Sequence, residues 1–572
     1  METVSENKQT NSAASWFERW IECEWVFFLS IFTILSLAAC FPVLLHPTRH
    51  LAAMPFGDKG ANIWNLWWVY YALFERGISP LRCDLIFIPW GCDLRFHTLS
   101  ITNGIIASPI TATFGPVVAY NALFVMYTAL TGCFAAMWSI RLGAQRTVAL
   151  LIGLIMAFGP YRWAHQIHLN LFSTAWLFLS FYYCERSIAS RKGGDAVGVG
   201  LAWMLAFFSD WYYGLFVGFY LSVRACLLLI QKRDISNMFW VLRSVVAPGV
   251  LVGMAVYAYL HLGSEPNEYV DPVAMKFSAF WSVDLMHLAA PLWLLDDLPY
   301  LQQSEEFRLN PGLLMMLLPL VFGWFKGETE KDRWNRRILL TLAAVFMVLS
   351  LGPVLMFNAH PVTIMGCPIF LPAGIFELIP ALTVIRVYAR FAYIGLAAYL
   401  LFGLLGLQNL LDKRGISRVM IFISLVLGTS FLIETGWRIP RMIDYQAPAG
   451  HYQPSSKPVL EIPFTPSKLS GIHLYHQTIH QQPIFIAEFS RLGSYRNAYL
   501  QSYPALGMLN RIVSGKEMKN FKPPDMDKFC QELKQLGPVN IIISSLQQEG
   551  ITAEEARKSI QTILDSCHDK VD

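Results

Sequence analysis

Charge is what this sequence has least of. Only 15% of its 572 residues are Asp, Glu, Lys or Arg, against about 25% in an ordinary soluble domain. Hydrophobic residues make up 55%, and the mean hydropathy is +0.42. A chain that apolar needs lipid as part of its solvent. The net charge is only +4, and no basic patch with interleaved aromatics lies outside the apolar runs, so nothing points to nucleic acid. No CxxC pair occurs, which leaves a zinc ribbon unsupported. A P-loop, a GxGxxG turn and a Ser/His/Asp motif are all missing. No repeat of fixed period suggests a solenoid. The N-terminus lacks the basic start of a cleavable signal: Met1 to Arg19 are polar and include Glu2, Glu6 and Glu18. The first apolar run, Trp25 to His46, is long enough to span and reads as a retained helix.

Long apolar runs and aromatics are what the sequence has in excess. Crossing a hydrocarbon core of about 30 Å takes about 20 apolar residues in a helix. Runs of this kind fall near 25–46, 118–140, 147–161, 170–185, 196–209, 213–231, 238–262, 311–325, 337–356, 389–411 and 418–437. The expected fold is therefore an α-helical polytopic membrane protein with about 11 transmembrane helices. The apolar run 101–117 is broken by Gly104, Pro109, Gly115 and Pro116 and reads as an interfacial or re-entrant helix, with a twelfth span as the alternative. Aromatic residues reach 14%, which fits belts of Trp and Tyr at the headgroups.

Lys and Arg in short loops set the orientation. Arg141–Arg146, Glu185–Asp195, Gln231–Asp234, Lys326–Arg337 and Leu411–Arg418 hold about 15 Lys and Arg in roughly 40 residues, and the alternate loops hold about 10 in roughly 150. The dense set is expected in the cytoplasm with residues 1–24. Residues 25–437 then form the membrane domain, with large outer loops 47–100, 263–310 and 357–388. Residues 438–572 form an extracytoplasmic tail. Within the tail, Val459–Pro463 and Val539–Ser545 read as strands, and Asp525–Leu536 and Ala553–Cys567 as amphipathic helices, which predicts a small α/β domain. A Pro-, Gly- and Ser-rich stretch from Ala447 to Lys457 leads into it. Cys83 and Cys92 share the first outer loop, and Cys530 and Cys567 share the tail. Each pair is a candidate disulfide if that side is oxidising.

The polar residues with chemical potential gather on the outer side. Asp58 follows Phe56-Gly57 and precedes Trp64, Trp67 and Trp68. A carboxylate there can take a proton from an acceptor hydroxyl, and burial against the indoles would raise its proton affinity. Its alternative role is to cap the helix that starts near Lys59. Asp93, Arg95 and His97 close the stretch Ile88 to His97 and, with Trp64, supply further catalytic and substrate-binding candidates. His165 and His168 form HxxH in a short outer turn, a spacing that permits a divalent metal, though two histidines are half a site. Asp210, between two spans, is a second candidate acid. Arg386 and Arg390, four apart, would share one helix face and suit a phosphate or pyrophosphate, with snorkelling to headgroups as the alternative. Asp296-Asp297 and Glu305-Glu306 read as solvated loop charges. No cofactor signature is present beyond that permitted metal.

The arrangement resembles the GT-C superfamily of polytopic glycosyltransferases that use polyprenyl-phosphate sugars, and more closely a group of bacterial membrane proteins of that type. The matching stretches are Gly57-Asp58 with the tryptophan cluster, Pro89-Trp90-Gly91 to His97, Ala119-Tyr120-Asn121, Pro160-Tyr161 with His165 and His168 to Leu171, Arg386 to Arg390, and Tyr475 to His480. The resemblance implies a hexosyl- or pentosyltransferase in a bacterial inner membrane. Its partners would be membrane lipid and a polyprenyl-phosphate-linked sugar, and its acceptor an envelope glycan, lipid or protein. It also implies that Asp58 is the first-loop acid. Many members carry an acidic pair in that loop, whereas Lys59 follows Asp58 here, so Asp93 or Asp210 would supply the second carboxylate. Two other classes compete. A transporter or flippase of lipid-linked glycan would call for charged or broken helices at the midplane, and the expected spans hold few ionisable residues at their centres. A non-catalytic envelope assembly protein would use the tail as its binding module.

Overall fold

The computed structural model describes residues 23–48, 50–52, 58–231, 239–240, 242–261, 281–289, 305–379, 385–435, 442–444, 457–462, 471–487, 493–513, 526–536, 539–543, 558, 560–562, 565 and 567. It divides into two compact units that interleave along the chain. One comprises Met1–Leu45, Asn121–Tyr257 and Pro272–Arg441, and the other His46–Tyr120, Ala258–Asp271 and Met442–Asp572.

The first unit is helical. Its long elements are Glu24–Ala39, most of Pro116–Arg141, Arg146–Phe158, Ala175–Ser190, Gly193–Ser209, Trp211–Gln231, Ala247–His261, Leu313–Phe322, Glu330–Ser350, Ala392–Lys413 and Val419–Glu434. Each lies on an apolar run read from the sequence. Length and composition separate them further. Among the described residues, four continuous helical stretches are long and apolar enough to cross a membrane: Pro116–Arg141, Arg146–Ile167, Trp211–Gln231 and Tyr388–Lys413. Five shorter apolar helices, Glu24–Ala39, Gly193–Ser209, Arg243–Tyr259, Leu313–Phe322 and Val419–Glu434, accompany them. This is a multi-pass membrane architecture. The helix Ile101–Phe114 in the broken run has 14 residues, about 21 Å at 1.5 Å per residue, which is short of a bilayer core.

Local chemistry explains several helix ends. Glu330–Ser350 starts at a capping box, with the Asp332 amide donating to the Thr329 hydroxyl at 3.1 Å and the Thr329 amide donating to the Asp332 carboxylate at 3.2 Å. Pro160 opens the turn Pro160–Ala164 at a position where its missing N–H costs nothing. Glu330–Ser350 and Ala392–Lys413 run antiparallel. Gly395 lies against Met347 and Gly406 against Arg336 and the Phe322 carbonyl, so small residues let the backbones approach closely.

In the second unit, the segment after the first helix and the tail build one body. His50–Ala52 pairs antiparallel with Met442–Asp444, and Val459–Ile462 pairs parallel with Asn540–Ile543. Both tail strands fall where the sequence placed them, as does the helix Met526–Gln535. The expected helix 553–567 lies mostly outside the described residues. Cys530 and Cys567 form a disulfide, whereas Cys83 and Cys92 face each other across a two-residue strand pair as free thiols.

The helix Asp58–Tyr70 packs on the tail helix Ile472–His480. They meet so closely that a Cβ on Gly60 would lie 2.2 Å from the Gly471 carbonyl oxygen. A buried polar contact joins the pair, Trp64 Nε1 donating to Gln477 Oε1 at 2.8 Å, and Gln477 Nε2 also donates to the carbonyl of Leu85 in the following loop at 2.9 Å. Gly60→Ala is expected to destabilise the protein by about 1–3 kcal/mol through overpacking, read as a lower midpoint of thermal unfolding in detergent. Gly194→Ala, where a methyl group meets nothing within 4 Å, should leave the midpoint unchanged or slightly higher.

Candidate functional site

In the second unit, Asp58 is the first residue of the helix Asp58–Tyr70, and its side chain is exposed. The indoles do not cover it, contrary to the expected burial. Trp64 turns to Gln477 and stacks on Trp68 at 5.7 Å, and Trp68 Nε1 donates to the Pro80 carbonyl at 2.9 Å. The neighbouring Lys59 is fully buried, with Nζ 5.1 Å from the centre of the Tyr120 ring. Burial pushes its ammonium well below the ordinary lysine value.

Asp93 and Arg95 form a closed pair. Arg95 Nε and Nη2 approach the Asp93 carboxylate at 2.8 and 2.5 Å, and the Arg95 amide donates to the same carboxylate at 2.9 Å. His97 is buried, with Nε2 donating to Asn65 Oδ1 at 3.0 Å, because the Asn65 amide nitrogen is itself given to the Thr98 carbonyl. This geometry has Asp93, Arg95 and His97 shaping the loop. A second buried pair lies in the tail, where His476 Nδ1 meets the Glu461 carboxylate at 2.8 and 3.0 Å. Nearby, burial lowers His480 to about 4 despite the opposing pull of Glu461.

In the first unit, His165, His168, Asp210 and Arg390 gather around residues the sequence reading passed over. The principal one is Glu306, which is buried rather than solvated. Arg390 clasps it, Nε at 3.0 and 3.1 Å from its two oxygens and Nη2 at 2.5 Å from Oε1. His165 Nε2 lies 3.0 Å from its other oxygen. Nδ1 of His165 donates to the Tyr161 carbonyl at 2.8 Å, since a carbonyl can only accept. Burial alone would raise the Glu306 carboxyl. Arg390 and His165 outweigh it and hold the group below the ordinary carboxylate range.

Tyr212 ties the rest together. Arg390 lies over its ring at 4.6 Å, and its hydroxyl accepts from the amides of Arg386 and Val387 at 2.9 and 3.0 Å. Asp210 is buried at the break between Gly193–Ser209 and Trp211–Gln231. It accepts from Asn170 Nδ2 at 2.7 Å and from the Tyr212 amide at 2.9 Å. The two arginines do not share a helix face. Arg390 sits in the 3-10 turn Tyr388–Phe391, and Arg386 precedes it in non-helical backbone. The Arg390 fork is spent on Glu306. The Arg386 side chain is half-buried, and no hydrogen bond or ion pair holds its guanidinium among the described residues. Of the HxxH histidines, His165 has Nδ1 on the Tyr161 carbonyl and Nε2 beside the Glu306 carboxylate. Among the described residues, no group of three or more His, Cys, Asp or Glu could hold a metal ion. Asp296 and Asp297 lie outside the described residues.

No family model matches the chain, and no curated protein matches it. Solved structures do. The apo oligosaccharyltransferase of Archaeoglobus fulgidus superposes over 83% of this chain and 66% of its own, with 10% identity and a TM-score of 0.50. The chain shares the fold of that archaeal membrane enzyme. It spans just under two thirds of the length of that archaeal enzyme. The same enzyme in complex with an inhibitory peptide and a dolichol-phosphate gives 10% identity over 84% of this chain and 69% of its own, with a TM-score of 0.44. ArnT from Cupriavidus metallidurans, in the apo state, gives 12% identity over 93% of each chain, with a TM-score of 0.40.

The Glu306 network yields a stability prediction. Glu306→Gln leaves Arg390 buried without its counter-charge and should cost about 3–5 kcal/mol at neutral pH. Replacing both partners, Glu306→Gln with Arg390→Met, should recover part of the loss. The lowered carboxyl stabilises the fold above the ordinary carboxylate range and loses that contribution as pH falls through its own folded value. The gap between wild type and Glu306→Gln in detergent melting curves should therefore close only at strongly acidic pH.

Proposed function

We propose that the protein is a membrane glycosyltransferase. It would move a sugar from a polyprenyl-phosphate donor to an envelope glycan, lipid or protein acceptor at the outer face of a bacterial inner membrane. The observation that carries this reading is the fold shared with an oligosaccharyltransferase over 83% of the chain. The orientation, with the N-terminus in the cytoplasm, about 11 spans and an extracytoplasmic α/β tail, follows the Lys and Arg distribution of the loops.

Asp58 is the catalytic base in this reading. It is an exposed carboxylate at a helix start, whereas Asp210 and Glu306 are buried and Asp93 nearly so. Its role is to take the proton of an acceptor hydroxyl as that oxygen attacks the anomeric carbon. The bond from that carbon to the lipid phosphate oxygen breaks with inversion, and the phosphate leaves with the electron pair. Arg386 is the cation assigned to that phosphate, where it stabilises the developing charge. Arg390 acts through Glu306 and Tyr212, which hold the backbone that bears Arg386.

Envelope glycolipids and glycans compared by mass spectrometry test this in three strains: deletion, wild-type complement and Asp58→Asn complement. A single sugar-sized mass difference should vanish in the deletion and in Asp58→Asn, at wild-type protein levels. A deletion phenotype fully restored by Asp58→Asn would remove Asp58 as the base and favour transport or assembly. Arg386→Gln should raise the donor KM well above that of wild type, whereas a purely structural role would lower the melting midpoint and leave KM alone.

A further inference from the structure

The segment between Glu330–Ser350 and Ala392–Lys413 is unusual in composition and build. Between Arg337 and Arg386 the sequence contains no Lys, Arg or Asp and a single Glu, Glu377. Yet it is not a span. It folds into two tight hairpins, Met356–Phe357 with His360–Pro361 and Thr363–Ile364 with Cys367–Pro368. Both hairpin turns have positive φ at two residues, Asn358 and Ala359 in the first and Met365 and Gly366 in the second, as the favoured two-residue turns require.

The hairpins are firmly held. Leu355, Val362, Ile369 and Leu371 amides donate to the carbonyls of Ile369, Leu355, Val362 and Pro353 at 2.9–3.0 Å. Buried Asp284 accepts from the Asn358 and Ala359 amides at 3.1 and 2.8 Å. This is a rigid platform, but its exposed face is mostly apolar: Met365 is fully exposed, Phe370 and Leu378 are each 76% exposed, and His360 and Thr363 are the exposed polar side chains of the hairpins. Met365 is costly at its position, since a left-handed turn residue is ordinarily Asn or Gly. An apolar chain kept there, at the tip, calls for an apolar partner.

The depth of the platform names that partner. The 3-10 turn Pro372–Leu378 rests Phe376 on Phe219, ring centres 5.4 Å apart. Phe219 lies eight residues inside Trp211–Gln231, which is about 12 Å along a helix long and apolar enough to cross the membrane. Phe376 also stacks on Tyr388, the first residue of a second such helix, so the platform sits near the end of that helix and within one leaflet. At that depth the surroundings of a membrane protein are hydrocarbon. The backbone demand of such a place is met by the internal hydrogen bonds of the hairpins and by burial of one side in protein. We propose that residues 353–379 form a re-entrant platform embedded in one leaflet, with Met365, Phe370, Ile375 and Leu378 covered by lipid acyl chains.

The test uses the full chain in phosphatidylcholine nanodiscs that contain a fraction of lipid with a diazirine midway along an acyl chain, against a second preparation with the diazirine on the headgroup. Adducts are located by peptide mass spectrometry after illumination, and Met365 oxidation by hydroxyl radicals is read on the same discs. The exposed leucines of Leu313–Phe322 provide the positive control. The expected result is several-fold more adducts on 363–379 from the acyl probe than from the headgroup probe, with Met365 protected from oxidation. Free oxidation of Met365 with no acyl adducts would place the platform in water and overturn the proposal. Protection from both reagents would mean that protein covers this face, and would overturn it equally.

Discussion

A chain that surrounds itself with lipid can bury an ionised side chain only when a counter-charge or a full set of dipoles is buried with it. Leaving a buried charge unpaired costs several kcal/mol, a large part of any protein's stability. The structure meets this condition repeatedly and by different means. Glu306 is met by Arg390 and His165, and Glu185 by Arg224 and the Tyr220 hydroxyl. Asp93 is met by Arg95, and Glu461 by His476. Arg162 is fully buried and is satisfied by neutral oxygens instead. It donates to the carbonyls of Ala157 and Phe172 and to the hydroxyls of Thr128 and Thr174, and it lies 3.5 Å from the centre of the Phe172 ring. The pairs Glu306–Arg390 and Glu185–Arg224 join residues 84 and 39 apart in sequence, so they pin distant elements to one another.

That requirement also decides which parts of the structure could be read from sequence. Apolar runs announce helices directly, and the long helices stand on those runs. The tail strands Val459–Ile462 and Asn540–Ile543 were legible because β-branched runs bounded by Pro and Gly carry their own signal. Ion pairs carry none. Glu306 sits 84 residues from Arg390, next to another glutamate in a loop of mixed polarity, and looks solvated until the fold brings the arginine to it. The spacing of Arg386 and Arg390 suggested a helix, but the helix proper begins at Ala392, after a 3-10 turn. Asp58 failed differently. The tryptophans after it were expected to bury it, but a helix turns each side chain by about 100° from the last, and they turn elsewhere: Trp64 to Gln477, Trp67 onto Tyr71 and Trp68 to the Pro80 carbonyl.

The pairing rule sharpens the functional reading. In the sequence Asp58 was the candidate first-loop acid, with Asp93 or Asp210 as the second carboxylate. A general base needs a lone pair that can reach a proton from outside the protein. The Asp93 carboxylate is closed by Arg95, and the Asp210 carboxylate by Asn170 and the Tyr212 amide. Glu306 is more strongly committed still, and its lowered proton affinity is the opposite of what a base needs. Asp58 differs from these three in its exposure at a helix start. The same distinction separates the arginines, since Arg390 is the counter-ion that allows Glu306 to be buried while Arg386 keeps its guanidinium half-buried.

The hairpin platform applies the same accounting to the backbone. A peptide group in hydrocarbon must find its partner within the protein, and helices are the usual answer. Here the turns between Pro353 and Leu371 bond to one another and to Asp284, so a short stretch of irregular backbone becomes admissible beside two long apolar helices. The near absence of charge from Ile338 to Ile385 then has a physical cause. A lysine at Met365 would carry its charge into lipid, and the segment's single carboxylate, Glu377, is itself half-buried. The constraint that places Arg390 beside Glu306 inside the protein keeps charge off the outward face of this platform.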